Sequence, residues 1–334
     1  MSAKDANIFA NKRISVDCLQ YSKPSRERFL EWKKGNINVV HVTLAVWENA
    51  LETIKVISEW NKLFRANSDL IGLAKSQHDI LEIVANKKTA IIFGFQNTSP
   101  FEDDIELIEI FHQMGVRISQ LTYNIRNLVA TGCWEDEGGI SGFLGKNFIK
   151  EMDRVGMIID LSHCNERSSI EAMELSQNPV VFTHANPSGY VGFDIELNKR
   201  NKSDELLKLL ASQGGVIGLS MYPKILKNGS NATINDFCDM VAYTVDLIGV
   251  DHVGIGSDFY TGYTEEAVLW WRAGRWSRES PLNSPNKFSK WPTWVNNPSQ
   301  FQNLELALAR KGFNSDEVSQ IIGKNWLNLF SKFF

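Results

Sequence analysis

Cysteine is sparse and unpatterned in this chain. Cys18, Cys133, Cys164 and Cys238 are the four cysteines among 334 residues, and no two stand in a CxxC spacing. That excludes a disulfide framework and a thiolate zinc knuckle, and it fits a reduced protein expected in the cytoplasm. Long apolar runs are missing as well: no window approaches ~20 uninterrupted apolar residues, so no membrane-spanning helix is expected. The opening "MSAKDANIFANKRIS" carries no apolar core, so a secretory leader is not expected. The closing "LNLFSKFF" is short and interrupted by Lys332, and reads as a packed final helix rather than an anchor signal. Basic charge is not concentrated either. The net charge is −4 with lysine and arginine scattered, which excludes the basic stripe of a nucleic-acid binder. Internal repeats and low-complexity tracts are absent. With 43% hydrophobic and 22% charged residues the composition is that of a globular protein, not a disordered one.

What the chain does have is a recurrence of short apolar runs. Eight read as strands: 14–19, 37–46, 89–96, 116–123, 155–163, 178–184, 214–222 and 251–259. Most are continuously apolar rather than alternating, as parallel strands covered by helices on their outer face should be. Helical patterns separate them. Residues 49–67 place apolar side chains at 51, 54, 57, 60 and 64, one helical face. Residues 102–115 open on acids and end at Gly115, residues 202–215 open on Ser203 and stop at two glycines, and residues 234–249 follow the same plan. Strand feeding helix eight times predicts a (β/α)8 TIM barrel in one domain, 1–334, since such a barrel needs about 250 residues plus insertions. A doubly wound open sheet is the rival. Two long loops break the rhythm, at 124–143 and about 260–300. The second is Trp-rich, with Trp270, Trp271, Trp276, Trp291 and Trp294 beside Arg272, Arg275 and Arg278, and reads as either a pocket roof or an oligomer contact.

In a barrel of this kind chemistry gathers at the C-terminal ends of the strands. Read in order, those ends deliver Asp17 to Tyr21, Thr43 with Trp47, Gln96 with Asn97, Tyr123 with Asn124, His163, His184, Ser220 with Tyr222, and Asp258. Two of the six histidines thus close successive strands, and an aspartate closes a third behind "GIGS". Neutral imidazoles and a carboxylate are the donors a divalent metal such as zinc takes. The remaining histidines stand elsewhere: His41 in mid-strand, His78 and His112 in helical segments, His252 at the opposite strand end.

"MDRVGMIIDLSH", "PVVFTH", "RNKSDE" and "HVGIGSDFYTG" together resemble the membrane (renal) dipeptidase family of the amidohydrolase superfamily, over nearly the whole chain from Asp17. The resemblance implies a barrel hydrolase that cleaves dipeptides at a zinc site. It places His163 and His184 as the ligands of the second metal and Asp258 as the catalytic proton carrier. It places Arg200 as the residue that holds the substrate carboxylate, with Tyr222 nearby. A homodimer is implied by the resemblance alone. The first half of the site departs from the family pattern. The family's first strand ends D-x-H-x-D, where this chain has Asp17, Leu19 and Tyr21; its bridging glutamate corresponds to Gln96; and its substrate-facing histidine corresponds to Tyr123, followed by Asn124. A dinuclear centre is therefore not expected, because a neutral amide brings no charge to offset two cations.

Three readings follow. One is a mononuclear dipeptidase-like hydrolase with one zinc ion on His163 and His184. In it Asp258 and Tyr123 are catalytic, and Arg200, Tyr222, Gln96 and Asn124 line the substrate. A second is metal-independent acid–base chemistry by the histidines and Asp258, as in a lyase, isomerase or lactam hydrolase. A third is a non-catalytic binding barrel. In each the ligand is a small carboxylate-bearing molecule.

Overall fold

The computed structural model describes residues 13–192, 198–274 and 290–334. Strands β1 (Val16–Gln20), β2 (Val39–Ala45), β4 (Thr89–Phe95), β5 (Val116–Gln120), β6 (Ile158–Asp160), β7 (Val181–Ala185), β8 (Val216–Leu219) and β9 (Val253–Ile255) pair in that order, all parallel. The ring closes beyond β9: Phe259 bridges Gln20, the Tyr21 amide donates to the Phe259 carbonyl at 2.7 Å, and the Asp258 amide donates to the Leu19 carbonyl at 3.0 Å. This is the eight-stranded (β/α)8 barrel. A ninth strand, β3 (Ile71–Leu73), pairs with β4 outside the ring. Its three residues include a glycine, too short and too weakly β-forming to register as a strand in the sequence.

The strands are shorter than the apolar runs that suggest them. β6 ends at Asp160, so His163 stands in the turn beyond it, whereas His184 lies within β7. Local chemistry explains most helix starts. Asn49 and Glu52 form a reciprocal capping box at helix Ala50–Ala66, Thr233 and Asp236 do the same at Ile234–Ile248, and Ser203 accepts from the Leu206 amide ahead of Asp204–Ser212. Helix Glu106–Met114 begins later than its acidic run implies. Residues 99–101 form a 3₁₀ turn, and the Asp104 carboxylate takes the Glu106 amide instead. Gly115 closes that helix at φ 110°, where only glycine is unstrained. The buried stripe of helix Ala50–Ala66 runs through Thr53, Ile57 and Trp60, and Leu51 and Ile54 are exposed. Neutral-looking Thr53 replaces the expected apolar pair because the i, i+4, i+7 row, not apolarity alone, faces the strands.

The N-terminal end of the barrel is plugged by Val16, Val39, Ile92, Ile118, Ile158, Val181 and Val216, with Trp326 and Phe330 packed in the same cluster. The final helix Asn325–Phe330 is therefore structural, and the Trp326 indole N–H donates to the Ile255 carbonyl at 3.1 Å. Gly254 makes room for this ring, since a Cβ there would stand 2.3 Å from its nitrogen. Gly254→Ala is expected to cost about 1–3 kcal/mol of stability by overpacking, read as a lower urea midpoint with an unchanged slope.

The long loop after β9 holds a helix, Glu265–Ala273, whose Trp271 packs with Val46, Trp47 and Val268 under the barrel mouth. Trp291 and Trp294 also pack inward, the latter donating to the Ala232 carbonyl at 3.0 Å. Trp276, Arg275 and Arg278, and the side chain of Arg272, lie outside the described residues. Among the described residues no helix is long and apolar enough to cross a membrane.

Candidate active site

His163 and His184 meet across the mouth with their Nε2 atoms 3.1 Å apart. Their hydrogen bonds fix the protons. Arg200 Nη2 approaches His163 Nε2 at 3.0 Å and can only donate, so that nitrogen carries a lone pair and Nδ1 carries the hydrogen. Nδ1 accordingly donates to Asn124 Oδ1 at 2.5 Å. For His184, the Thr183 hydroxyl gives its hydrogen to the Asp160 carboxylate and so accepts from His184 Nδ1 at 2.8 Å. Nε2 of His184 is again a bare lone pair. Both imidazoles are neutral: burial pushes each well below its ordinary pKa, and the Arg200 cation adds to the effect.

The supports are buried and polar. Asp160 accepts from the Ser162 amide at 2.9 Å and the Thr183 amide at 3.0 Å, as well as from both hydroxyls. Asn124 sits at φ 62°, a left-handed conformation that asparagine tolerates better than most residues, and this turns its amide toward His163. Ser162, Thr183 and Asp160 were not legible as site residues. The signal present is the polar side chains interrupting two apolar strands just before each histidine, "DLSH" and "FTH".

Arg200 is 9% exposed. Besides His163 it donates to the Ser162 carbonyl at 2.5 Å and the His184 carbonyl at 3.0 Å. Asp258 stands at the mouth at φ 60°, again left-handed. Burial raises its carboxyl to about 7, with Arg200 opposing and Asp17 reinforcing. Asp17 is itself raised by burial, to about 6. It receives the Ser257 amide at 2.7 Å, the Ser257 hydroxyl, and Gln20 Nε2 at 2.7 Å. Asp17 thus anchors the loop that presents Asp258.

The remaining expected residues divide. Tyr123 stacks on His163, ring centroids 4.2 Å apart and 25° between planes, and meets Trp47 edge-on at 5.4 Å. The structure thus places the Tyr123 ring against the imidazole of His163. Gln96 turns to Thr43, donating to its hydroxyl at 2.8 Å, and Tyr222 joins an aromatic group with Tyr260 at 5.8 Å and Trp291 at 6.4 Å. Leu19 is fully buried, and Tyr21 packs on Trp271 at 4.4 Å and Tyr263 at 5.5 Å. Aromatic rings therefore fill the ground where the resemblance places a first metal.

Two nitrogens bound to one zinc ion at about 2.0–2.1 Å and a tetrahedral angle stand about 3.4 Å apart. The observed 3.1 Å, with both lone pairs turned inward and both Nδ1 atoms tied to oxygen, fits two ligands of a single ion. Among the described residues no three His, Cys, Asp or Glu side chains gather to hold a metal.

A family model described as membrane dipeptidase (peptidase family M19) matches residues 17–268. The chain belongs to the membrane dipeptidase family. It is similar to the dipeptidase tcpJ of Claviceps purpurea, 26% identical over 277 residues, which cover 82% of this chain and 58% of that protein. This family member spans about half to two thirds of the length of the curated relatives it matches. Among solved structures, an amidohydrolase from Pseudomonas aeruginosa superposes with a TM-score of 0.90 at 36% identity, covering 98% of each chain. A metallo peptidase from Rhodobacter sphaeroides, liganded with a phosphinate mimic of the dipeptide L-Ala-D-Ala, superposes at 0.80 with 15% identity, 97% of this chain and 100% of that one. At that identity it shows the fold alone.

Proposed function

We propose that this membrane dipeptidase family member is a dipeptidase-like hydrolase that cleaves an amide or peptide bond in a small carboxylate-bearing substrate, with one zinc ion. The observation that carries this reading is the convergence of two neutral imidazole lone pairs beside a buried guanidinium and a carboxyl poised near neutrality. A zinc ion on His163 and His184 would supply a polarised carbonyl and a water acidified towards pH ~7. Asp258 takes a proton from the attacking water on its carboxylate and returns it to the leaving amine, a role that a pKa near 7 suits. Arg200 is the cation that would pair with the substrate carboxylate on turning from His163. Asn124 and Thr183 hold the imidazoles in the tautomer that leaves Nε2 open. Trp47, Tyr123 and the rings of the long loop exclude water from the mouth. Asn124 and Tyr123 act through His163, and Gln96 and Tyr222 shape the surrounding wall.

The test is a panel of dipeptides with L- and D-residues at the C-terminal side, assayed with zinc and with chelator. Zinc-dependent turnover of some members supports the reading; binding without turnover assigns a non-catalytic barrel. Arg200 lying on His163 favours a second reading, metal-independent acid–base chemistry by Asp258 and the histidines, and turnover that survives chelation would select it. His163→Ala is expected to abolish stoichiometric zinc, about one ion per chain in the parent, as read by elemental analysis.

A further inference from the structure

We propose that Arg200 is the resident cation of the histidine pair and competes with the metal ion for it, so that an ion enters only when the guanidinium withdraws. The inference rests on the one-ion reading above and asks what stands on the same ground. Two lone pairs facing each other at 3.1 Å repel unless a positive charge serves them. Arg200 Nη2 serves His163 Nε2 at 3.0 Å. The guanidinium is not a passing visitor. Its other bonds go to the carbonyls of Ser162 and His184, one from each strand end that carries a histidine. Both carbonyls are buried with the arginine, and their partners belong to the same two turns that present the imidazoles. A guanidinium carries enough donors to serve these three acceptors at once.

The charge around the pair points the same way. Lys202 is buried close by, its ammonium donating to the Cys164 carbonyl at 2.8 Å and lying 4.9 Å over the Phe182 ring. The positions where the resemblance places the first metal's ligands, one histidine and two carboxylates, hold Leu19, Tyr21 and Gln96. A divalent ion added to the pair with Arg200 in place meets a cation at hydrogen-bond range of His163 Nε2. Withdrawal of Arg200 towards a carboxylate removes that repulsion and frees His163 Nε2 in one movement. Metal binding and carboxylate binding are therefore coupled in the same direction, each favouring the state the other needs.

The measurement is zinc affinity by competition with a chromophoric chelator, on the full chain and two variants. Arg200→Ala is expected to bind zinc at least about tenfold more tightly than the parent, since one charge-assisted hydrogen bond and a like-charge contact no longer oppose the ion. Arg200→Lys, which keeps the charge but not the fork, is expected between the two and guards against a misfolded alanine variant. Millimolar guanidinium ion, far below denaturing concentration, should weaken zinc binding in Arg200→Ala by refilling the cavity and leave the parent unchanged. Equal zinc affinity in parent and both variants overturns the competition while leaving the one-ion reading standing. Zinc binding by none of the three overturns the one-ion reading itself, and the competition with it.

Discussion

Asp258→Asn is expected to lower kcat by about 10²–10⁴-fold, the usual contribution of a positioned acid–base group. The amide keeps the shape of the side chain and loses the site that takes the proton, so zinc content and the fold should survive. The parent enzyme should also show an acidic limb. A general base must be ionised, and burial holds Asp258 near 7, so kcat/KM should rise with pH through about 7 and level above it. In Asp258→Asn that limb should vanish from the residual activity. A residual profile with the same limb would assign it to another group and remove Asp258 from the proton transfer.

Both buried aspartates also make a stability prediction whose sign is fixed. Asp17 and Asp258 have folded pKa values of about 6 and about 7, above the 3.8 of the free side chain. Between pH 4 and 7 the unfolded chain has released these protons while the folded chain retains them. The folded state then binds more protons, and stability falls as pH rises through this window. Urea titrations at pH 4.5 and 7 should therefore show smaller losses in Asp17→Asn than in the parent, because the asparagine does not ionise in either state.

The second large effect belongs to Asp160. Asp160→Ala is expected to cost about 3–5 kcal/mol, because two backbone amides and two hydroxyls in the barrel lose their acceptor where water does not reach. Urea denaturation would show it, unless the variant fails to fold at all. Thr183→Val is the milder companion. It removes the hydroxyl that passes the Asp160 charge to His184 Nδ1 and keeps the volume. Stability should fall by about 1–2 kcal/mol, and zinc affinity by about 10–100-fold, the usual consequence of losing a partner behind a metal-binding histidine. Unchanged zinc affinity in Thr183→Val would show that the tautomer of His184 does not depend on this chain of bonds.

The barrel was legible because its causes are local. Apolar runs of strand length, helix caps such as Asn49 with Glu52 and Ser203, and the Gly115 stop each act within a few residues. The placement of His163, His184 and Asp258 at one end of the barrel was legible for the same reason: a parallel strand in this fold delivers its last residues to one face. β3 escaped because three residues carry too little pattern, and the inner stripe of helix Ala50–Ala66 because burial follows helical geometry and not the apolarity of Leu51 and Ile54.

From the sequence alone followed the fold class, the expected place of a site at the strand ends, and the departure from the family pattern at Leu19, Tyr21 and Gln96. Those are statements about which residues exist and in what order, and a repeating local pattern is enough to make them. The tertiary structure decided where protons and charges stand. That Arg200 lies on His163, that Asp160 reaches His184 through Thr183, and that Asp17 holds the Asp258 loop through Ser257 are contacts spanning 23 to 240 residues. Hydrogen bonds of that range have no periodic trace, because they depend on distances of a few tenths of an ångström set only when the ring of strands closes.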